Sequence, residues 1–545
     1  MSVSPSRTPT GPSYDVVIIG GGHNGLVCAC YLAARGRSVR VLERRPILGG
    51  AAVTEEFHPG FRNSTASYTV SLLDPGVIAD LRLAEHGLKI LERPVSNFLP
   101  LDDHRSLVMG PTLAATQQQL ARFSERDAAR LPEYYAMLDR VVVVLKRLLG
   151  HTPPNVSTHG FASLPDWVAA LRLGGVLGGL ELETKRDLLT LFAASAGDIL
   201  DSWFESEPIK AVLGFDSIVG NFASPYAAGS GYVLLHHVFG GVNGKPGIWG
   251  HAVGGMGAIT QAMAAEARHR GVELSLDSAV ERVLVEGGRS VGVSLADGST
   301  IGARKVVANV TPRLLFETLV SEDMQPAEFR RRIINTRYGS GTLRINVALG
   351  ELPDFTALPG KNQQLHHGAG IILAPSLRYM ERAWSDARAS GWSTEPIVEV
   401  LIPSTMDSTL APAGKHVASL FCQHFNPDLD VQRFPRGWDD AREAAADAAI
   451  ATVNRFAPNF AASIIARQVH TPLDLERKFG LTRGDIFHGA LALDQLFSAR
   501  PVLGHADYRT PIGNLYLCGS GAHPGGGVTG LPGRLAAKEI LSDPR

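Results

Sequence analysis

The chain is 545 residues long, with 52 Lys+Arg against 53 Asp+Glu, a formal charge of −1 and 45% hydrophobic residues. That balance excludes the basic footprint of a nucleic-acid binder and the weak hydropathy of a disordered chain, and it predicts a large buried core. Glycine is in excess, 58 residues with no Gly-X-Y period against a usual share of ~7%, so it serves tight turns and close backbone approaches. In chain order, residues 1–12 are Ser/Pro/Thr-rich without an apolar segment and read as a disordered tail rather than a signal peptide. The pattern then predicts a buried strand at Val16–Ile19, the turn Gly20-x-Gly22-x-x-Gly25, and an Ala/Leu-rich helix to about Arg35. Gly20 permits the turn, Gly22 lets backbone approach a pyrophosphate, and Gly25 lets helix and strand pack closely. The phosphates would sit at the helix N-terminus, where free N–H groups converge. A second strand, Ser38–Leu42, ends at Glu43, about twenty residues past the last glycine, where a carboxylate accepts both hydroxyls of an adenosine ribose. The order of strand, glycines, helix, strand and acid predicts a bound dinucleotide, and Glu43 would repel a 2′-phosphate, which disfavours NADP although Arg44 and Arg45 follow.

The continuation ERRPILGG (43–50) and AAVTEEFHPGFRNSTASY (51–68) resembles the FAD-binding signature of the phytoene desaturase and amine oxidase superfamily. The resemblance implies that Gly49, Gly50 and Ala51 pass along the cofactor, that Arg44 lies over its adenosine side, and that Ser67 and Tyr68 lie near the flavin ring. It also counts His23 and Asn24 of the first glycine turn among the cofactor-binding positions. WGHAVGGMGAITQAM (249–263) is a second glycine-rich turn opening a helix, with Ile259, Met263 and Ala267 on one apolar stripe. Strands expected at Val272–Leu276, Ala279–Val285, Ser290–Leu295 and Lys305–Asn309, separated by Gly287-Gly288 and Asp297-Gly298, read as a β-meander. In the superfamily the strand at Val280–Val283 returns to the nucleotide, which puts the Val280 backbone at the adenine. LYLCGSGAHPGGGVTGLPG (515–533) resembles the closing flavin motif, implying contacts from Gly519, Gly527 and Val528. Ser520 stands where the family often has an acid.

FESEPIK (204–210), SPYAAGSGYVLLHHVFG (224–240), WGHAVGGMG and IPSTMDSTLAPAGKH (402–416) are similar to the phytoene dehydrogenase-like branch named after pyridine nucleotide-disulfide oxidoreductase domain-containing protein 2. The likeness spans essentially all of the chain past Ser13. Its name promises disulfide chemistry, but Cys28, Cys30, Cys422 and Cys518 form no C-x-x-C pair, and Cys28 and Cys30 point to different faces of one helix. The cysteine usage fits a reducing compartment, hence a cytoplasmic location. No apolar stretch reaches the ~18 residues of a membrane span, which leaves a peripheral membrane contact.

Residues 112–215 carry helical patterning, most clearly over Leu120–Leu148. Trp203, Phe204, Phe215, Phe222, Tyr226, Tyr232, Phe239 and Trp249 would serve either an apolar tunnel or an ordinary core. His236-His237 and His366-His367 are not expected to bind metal, because neighbours in a strand face opposite ways and no second ligand pair accompanies them. His251 and His523, each inside a glycine-rich segment, are candidate catalytic residues together with Tyr68; no general base stands out. Lys245 is the one lysine near the flavin motifs, and the water-bridged lysine of amine oxidases has no clear counterpart. Covalent attachment through Cys518 is not expected, so FAD should be non-covalent.

The expected fold is α/β: a Rossmann-like FAD-binding domain of glutathione-reductase type from residues 13–95, 250–320 and 500–545, and a discontinuous mixed α+β substrate domain from 96–249 and 321–499. The expected function is hydride transfer between flavin and a small apolar, polyene- or carotenoid-like substrate. No second nucleotide motif follows a strand, so electrons leave to dioxygen, a quinone or a redox protein. Rival readings are a redox-neutral carotenoid-type isomerase, a non-catalytic FAD-binding regulator and a flavin amine oxidase.

Overall fold

The computed structural model describes residues 11–101, 104–157 and 164–543; of the tail expected over 1–12, residues 1–10 lie outside them. Two seven-stranded sheets organise the chain. In the first, Ser13–Ile19 is central, and its Val16–Ile19 run is buried because both of its faces are covered. It runs parallel to Val39–Leu42 on one side and to Thr300–Ala308 on the other. Val306–Ala308 then takes Leu515–Leu517 as a further parallel neighbour, so residues from the beginning, middle and end of the chain lie side by side.

The other half of Thr300–Ala308 pairs antiparallel with Arg289–Leu295, which pairs with Val280–Glu286. The meander therefore has three strands, and Val272–Leu276 is not one of them. The strand there, Glu273–Ser275, joins the far edge parallel to Val39–Leu42, because the helix Gly257–His269 acts as a crossover, and a crossover returns the chain in parallel. On that helix Ile259, Met263 and Ala267 are fully buried, so the stripe is core. The helices His23–Ala33 and Leu531–Ser542 cross so closely that a Cβ on Gly533 would lie 2.2 Å from the Asn24 carbonyl oxygen.

The second sheet has the order Ile464–His470, Leu343–Leu349, His416–Gln423, Ile397–Leu401, Gly370–Leu373, Asn97–Pro100, Ser106–Met109. It is antiparallel except where Gly370–Leu373 meets Asn97–Pro100. Alternate residues face different cores. Val398, Val400, Leu420 and Cys422 pack with the helix Trp438–Phe456, whereas Ile397 and Phe421 pack with the helices Glu125–Leu149 and Ser230–Val238. The helix expected over Leu120–Leu148 is two, Leu113–Leu120 and Glu125–Leu149, divided where the Ser124 hydroxyl accepts from the Asp127 N–H and caps the second.

His236-His237 lies in a helix and His366-His367 in the 3-10 turn Leu365–Gly368, so the opposite-face argument made for strands does not describe them. Among the described residues no three His, Cys, Asp or Glu side chains are grouped to hold a metal. No described helix is long and apolar enough to cross a membrane. The helix Leu164–Gly178 buries none of its residues, and Leu164, Trp167 and Leu171 are exposed.

Candidate functional site

Two cavities meet between the sheets. The first follows the nucleotide motif and is lined by Gly20, Gly22, His23, Asn24, Glu43, Arg44, Gly50, Ala51, Val280 and Ser520. The second lies between the first sheet and the second, and its walls include Ser67, Tyr68, Gly527 and Val528. They share His23, Ala51, Leu481, His488 and Ser520, and so form one trough from the ribose acid to the second sheet.

Backbone geometry explains the glycines. Gly20 has φ +95°, and a Cβ there would meet the Asn309 carbonyl oxygen at 2.9 Å. Gly25 lines neither cavity; its missing Cβ would lie 2.4 Å from the Gly20 oxygen, so its role is close packing of helix on strand. Gly49 and Gly519 also stand behind the trough. Gly49 donates to the Gly21 carbonyl at 2.9 Å and clamps the second glycine pair onto the first, and a Cβ on Gly519 would meet Asn309 Oδ1 at 3.1 Å. The helix His23–Ala33 starts at Gly22 with no side-chain cap and no acid in its first turn, which leaves its N-terminal N–H groups for an anion.

Glu43 is held in place by two backbone donors: Gly21 N–H to Oε2 and Arg45 N–H to Oε1, both at 2.9 Å. Each oxygen retains acceptor capacity for a ribose hydroxyl. Arg44 is directed by a 2.9 Å bond from its guanidinium to the Arg477 carbonyl. Where the cavities join, His23 Nε2, Asn24 Oδ1 and His488 Nδ1 are shielded from solvent and have no hydrogen-bond partner. Burial pushes His23 down to about 4 and His488 down to about 3, so both rings are neutral; the N–H of His23 is used on the Gly527 backbone, which leaves its Nε2 as an acceptor. A buried polar atom left unpaired costs about 1–3 kcal/mol, and three of them beside an uncapped helix start fit the polar middle of a dinucleotide. The residues present therefore suit FAD along the whole trough.

The second cavity is walled by Tyr68, Trp249, Met256, Ile259, Phe421 and Phe487, among others, and by no Lys, Arg, Asp or Glu among the described residues. Of the eight aromatics ahead of the middle motif, Trp249 alone lines this cavity. Phe204, Phe215 and Tyr232 are core, and Tyr226 is exposed. The Tyr68 ring lies 4.5 Å from Phe421, with the Arg344 guanidinium 4.7 Å above it. Its hydroxyl donates to the Glu399 carboxylate. Burial raises Glu399 above the usual carboxylate range, against the opposing pull of Arg93, the Tyr68 hydroxyl and Arg344, and burial beside Glu399 raises Tyr68. Burial pushes Asp216 up to about 8, with the Glu399 charge adding to it and Arg93 opposing.

His251 and His523 line neither of the two cavities. His251 lines a small pocket that shares Tyr68 and Thr69 with the second cavity; its Nε2 is bonded to Asp407 at 2.9 Å, and the same Asp407 carboxylate accepts the Gly254 N–H, so His251 braces a glycine turn. His523 is fully buried and lines neither cavity. Lys245 is exposed and pairs with Glu92 at 2.7 Å, so it is no counterpart of a flavin lysine. Cys518 is buried beside Cys28 and outside the trough, which agrees with non-covalent cofactor binding.

The sequence reading missed Arg93, Arg344, Glu399 and His488. The available signal was a charge inside an apolar strand, Glu399 in IVEVL and Arg344 in LRINVAL, since a charge at a buried strand position requires a partner.

Two family models match the chain: the NAD(P)-binding Rossmann-like domain over residues 18–80 and the flavin containing amine oxidoreductase over residues 132–343. A protein of Rattus norvegicus, pyridine nucleotide-disulfide oxidoreductase domain-containing protein 2, is 42% identical over 98% of this chain and 94% of its own. A limonene dehydrogenase component of Castellaniella defragrans is 26% identical over 97% and 94%, and the chloroplastic prolycopene isomerase of Daucus carota 25% over 97% and 80%. The solved structure of an oxidoreductase from Methanosarcina mazei shares the fold, with a TM-score of 0.59 at 15% identity over 97% of this chain and 100% of that one.

Proposed function

The chain belongs to the family of pyridine nucleotide-disulfide oxidoreductase domain-containing protein 2, within the phytoene desaturase and amine oxidase superfamily of flavin-containing oxidoreductases, and from that premise we propose that it transfers hydride between a small apolar substrate and FAD. The observation that carries this reading is the flavin end of the trough, whose described walls hold no charged carboxylate, ammonium or guanidinium and so favour a neutral, apolar ligand. Relatives named for limonene and prolycopene, both hydrocarbons, support it. The same lining weighs against a cationic amine as substrate. We further propose a glutathione-reductase-type arrangement for the FAD-binding part and the division into FAD and substrate domains given above.

When bound, FAD supplies a two-electron acceptor or donor for hydride. Glu43 binds the ribose hydroxyls, the Gly22–Gly25 turn and the helix start receive the pyrophosphate, and His23, Asn24 and His488 pair with polar atoms at the junction. Tyr68 is the group at the cavity wall placed to move a proton: its hydroxyl takes one from the substrate as it passes its own to Glu399, whose negative charge Arg93 and Arg344 stabilise. The apolar walls exclude water from this transfer.

The electron acceptor in this proposal is dioxygen, a quinone or a redox protein. Anaerobic reduction followed by exposure to air or a soluble quinone tests it, with reoxidation faster than that of free flavin expected for one of them. Reoxidation by neither, together with net conversion of a cis-polyene, would instead favour the redox-neutral isomerase suggested by the prolycopene isomerase relative. A peripheral membrane contact is proposed through the helix Leu164–Gly178, whose apolar residues are exposed.

A further inference from the structure

One stretch of chain follows the trough from cavity to cavity. Past the edge strand Ile464–His470 of the second sheet comes the helix Pro472–Phe479. Lys478, Phe479, Gly480 and Leu481 line the first cavity together with Glu43 and Val280, and Leu481, Ile486, Phe487 and His488 line the second. The helix is anchored to its own side of the molecule. Thr471 and Asp474 form a capping box at its start. Asp474 also accepts from Arg442 at 2.6 Å, and Arg477 makes a two-pronged pair with Asp439 at 2.8 and 3.0 Å. Arg442 and Asp439 both belong to the helix Trp438–Phe456, which packs on the second sheet.

The end of this helix meets the nucleotide motif through a much lighter seam. Phe479, Leu481 and Leu475 join Ala51 and Ala66 in a small apolar cluster that is separate from the main cores. The rest is polar: Glu55 accepts from Arg45 at 2.8 Å and from Lys478 at 2.9 Å, with all three side chains half-buried. Against the upward push of burial, Lys478 and Arg45 hold Glu55 below the usual carboxylate range. The Arg45 guanidinium also lies 5.1 Å from the Phe479 ring centre, Arg44 donates to the Arg477 carbonyl, and the Thr311 and Thr482 hydroxyls bond at 2.6 Å. Because the Arg45 N–H donates to Glu43 Oε1, one residue both orients the ribose acid and grips the covering segment. Few buried apolar contacts and partly solvated ion pairs mark the part of a fold that opens at least cost.

We propose that residues 478–481 are a clasp over the adenosine end of FAD, supplied by the second sheet's side of the molecule, and that the Arg45–Glu55–Lys478 contacts set how long it stays shut and hence how long FAD is retained. This rests on the placement of FAD along the trough given above and adds the step by which the cofactor enters and leaves. A cofactor held by Glu43 and the glycine turn alone would leave at a rate indifferent to Glu55 and Lys478, whereas a clasped one leaves only when those pairs part.

The test is the rate at which the FAD-loaded protein loses flavin, read as the flavin still with the protein after timed desalting. Salt is varied from about 0.01 M to about 1 M, over which the Debye length falls from about 30 Å to about 3 Å. Wild-type release should quicken with salt. At low salt Lys478→Met should release FAD about fivefold faster than wild type, and Glu55→Gln, which weakens both pairs, about tenfold faster. At high salt all three rates should converge. Lys478→Met changes a half-buried residue at a helix end and carries the test if Glu55→Gln does not fold. Release within twofold of wild type in both variants, or an acceleration equal at every salt concentration as from a merely loosened fold, overturns the clasp. If Glu43→Ala speeds release while both clasp variants do not, the clasp falls and the placement of FAD stands. If Glu43→Ala and both clasp variants all keep FAD as wild type does, the adenosine is not at that end, and the placement falls with the clasp.

Discussion

Glu43 shows how much chemistry one side chain can hold: it orients two backbone N–H groups and keeps lone pairs for the ribose. Glu43→Ala should therefore weaken FAD binding by about 10- to 100-fold, the worth of one or two charge-assisted hydrogen bonds, with the fold intact by circular dichroism. Gly22→Val should abolish the yellow colour, since a Cβ at Gly22 already meets Asn309 Nδ2 at 3.0 Å; a variant that keeps full FAD would remove the pyrophosphate from that turn. Asp216 makes a prediction of opposite sign to most carboxylates. Its folded value, about 8, lies above the ordinary 3.8, so the folded protein holds a proton that the unfolded chain gives up. That contribution is complete below about pH 4 and is lost as the pH rises through 8. Asp216→Asn should thus raise the melting temperature relative to wild type by about 2–3 °C at pH 8 and leave it unchanged at pH 4; equal shifts at both would show that the carboxyl is not buried as protonated acid. The glycines and Glu43 were legible in the sequence because their spacing encodes backbone geometry. His251 and His523 lie outside both cavities: a glycine-rich segment reveals that backbone comes close to something, and says nothing of where its histidine aims. Arg93, Arg344 and Glu399 come from segments far apart in the chain, the last two on the second sheet and Arg93 just after a strand of a separate two-stranded sheet, and only the fold brings them to one tyrosine.

Secondary elements were legible where one face is buried and the period is plain, as in Val16–Ile19 or the stripe on Gly257–His269. Strand partners were not: the three-strand meander follows from its short Gly-Gly and Asp-Gly turns, but the partner of Glu273–Ser275 is decided by the helix before it and by a strand more than 230 residues earlier. The element scale also separates glycines that pack from glycines that merely occur. A Cβ at Gly25 runs into backbone at 2.4 Å, whereas one at Gly174, within the helix Leu164–Gly178, has nothing within 4 Å. Gly25→Ala should therefore cost about 2 kcal/mol or more and reduce FAD content. Gly174→Ala should stabilise by about 0.5–1 kcal/mol through helix propensity and lost chain entropy. Urea unfolding of both variants checks the pair, and similar effects from the two would show that helix and strand do not meet as described.

For the whole molecule, the exposed helix Leu164–Gly178 and the neutral overall charge bear on membrane contact together. With a formal charge of −1 the chain has little general attraction to anionic lipid, so adsorption to vesicles should depend on the apolar side chains and hardly on salt. Leu171→Glu, at a residue 74% exposed, should lower vesicle co-sedimentation several-fold without changing FAD content; undiminished binding would place any contact elsewhere. The sheet that takes the cofactor has a different consequence, one of timing. Its strand Leu515–Leu517 and the helix Leu531–Ser542 are made long after the strands they join. At about 5–20 residues per second, a ribosome needs about half a minute to two minutes to reach them. During that time Ser13–Ile19 and Thr300–Ala308 can pair, but the Gly527–Val528 wall of the second cavity does not yet exist. The cofactor is thus bound only after these residues have emerged, and a nascent chain stopped short of Leu515 should be colourless, however well its first motif has folded.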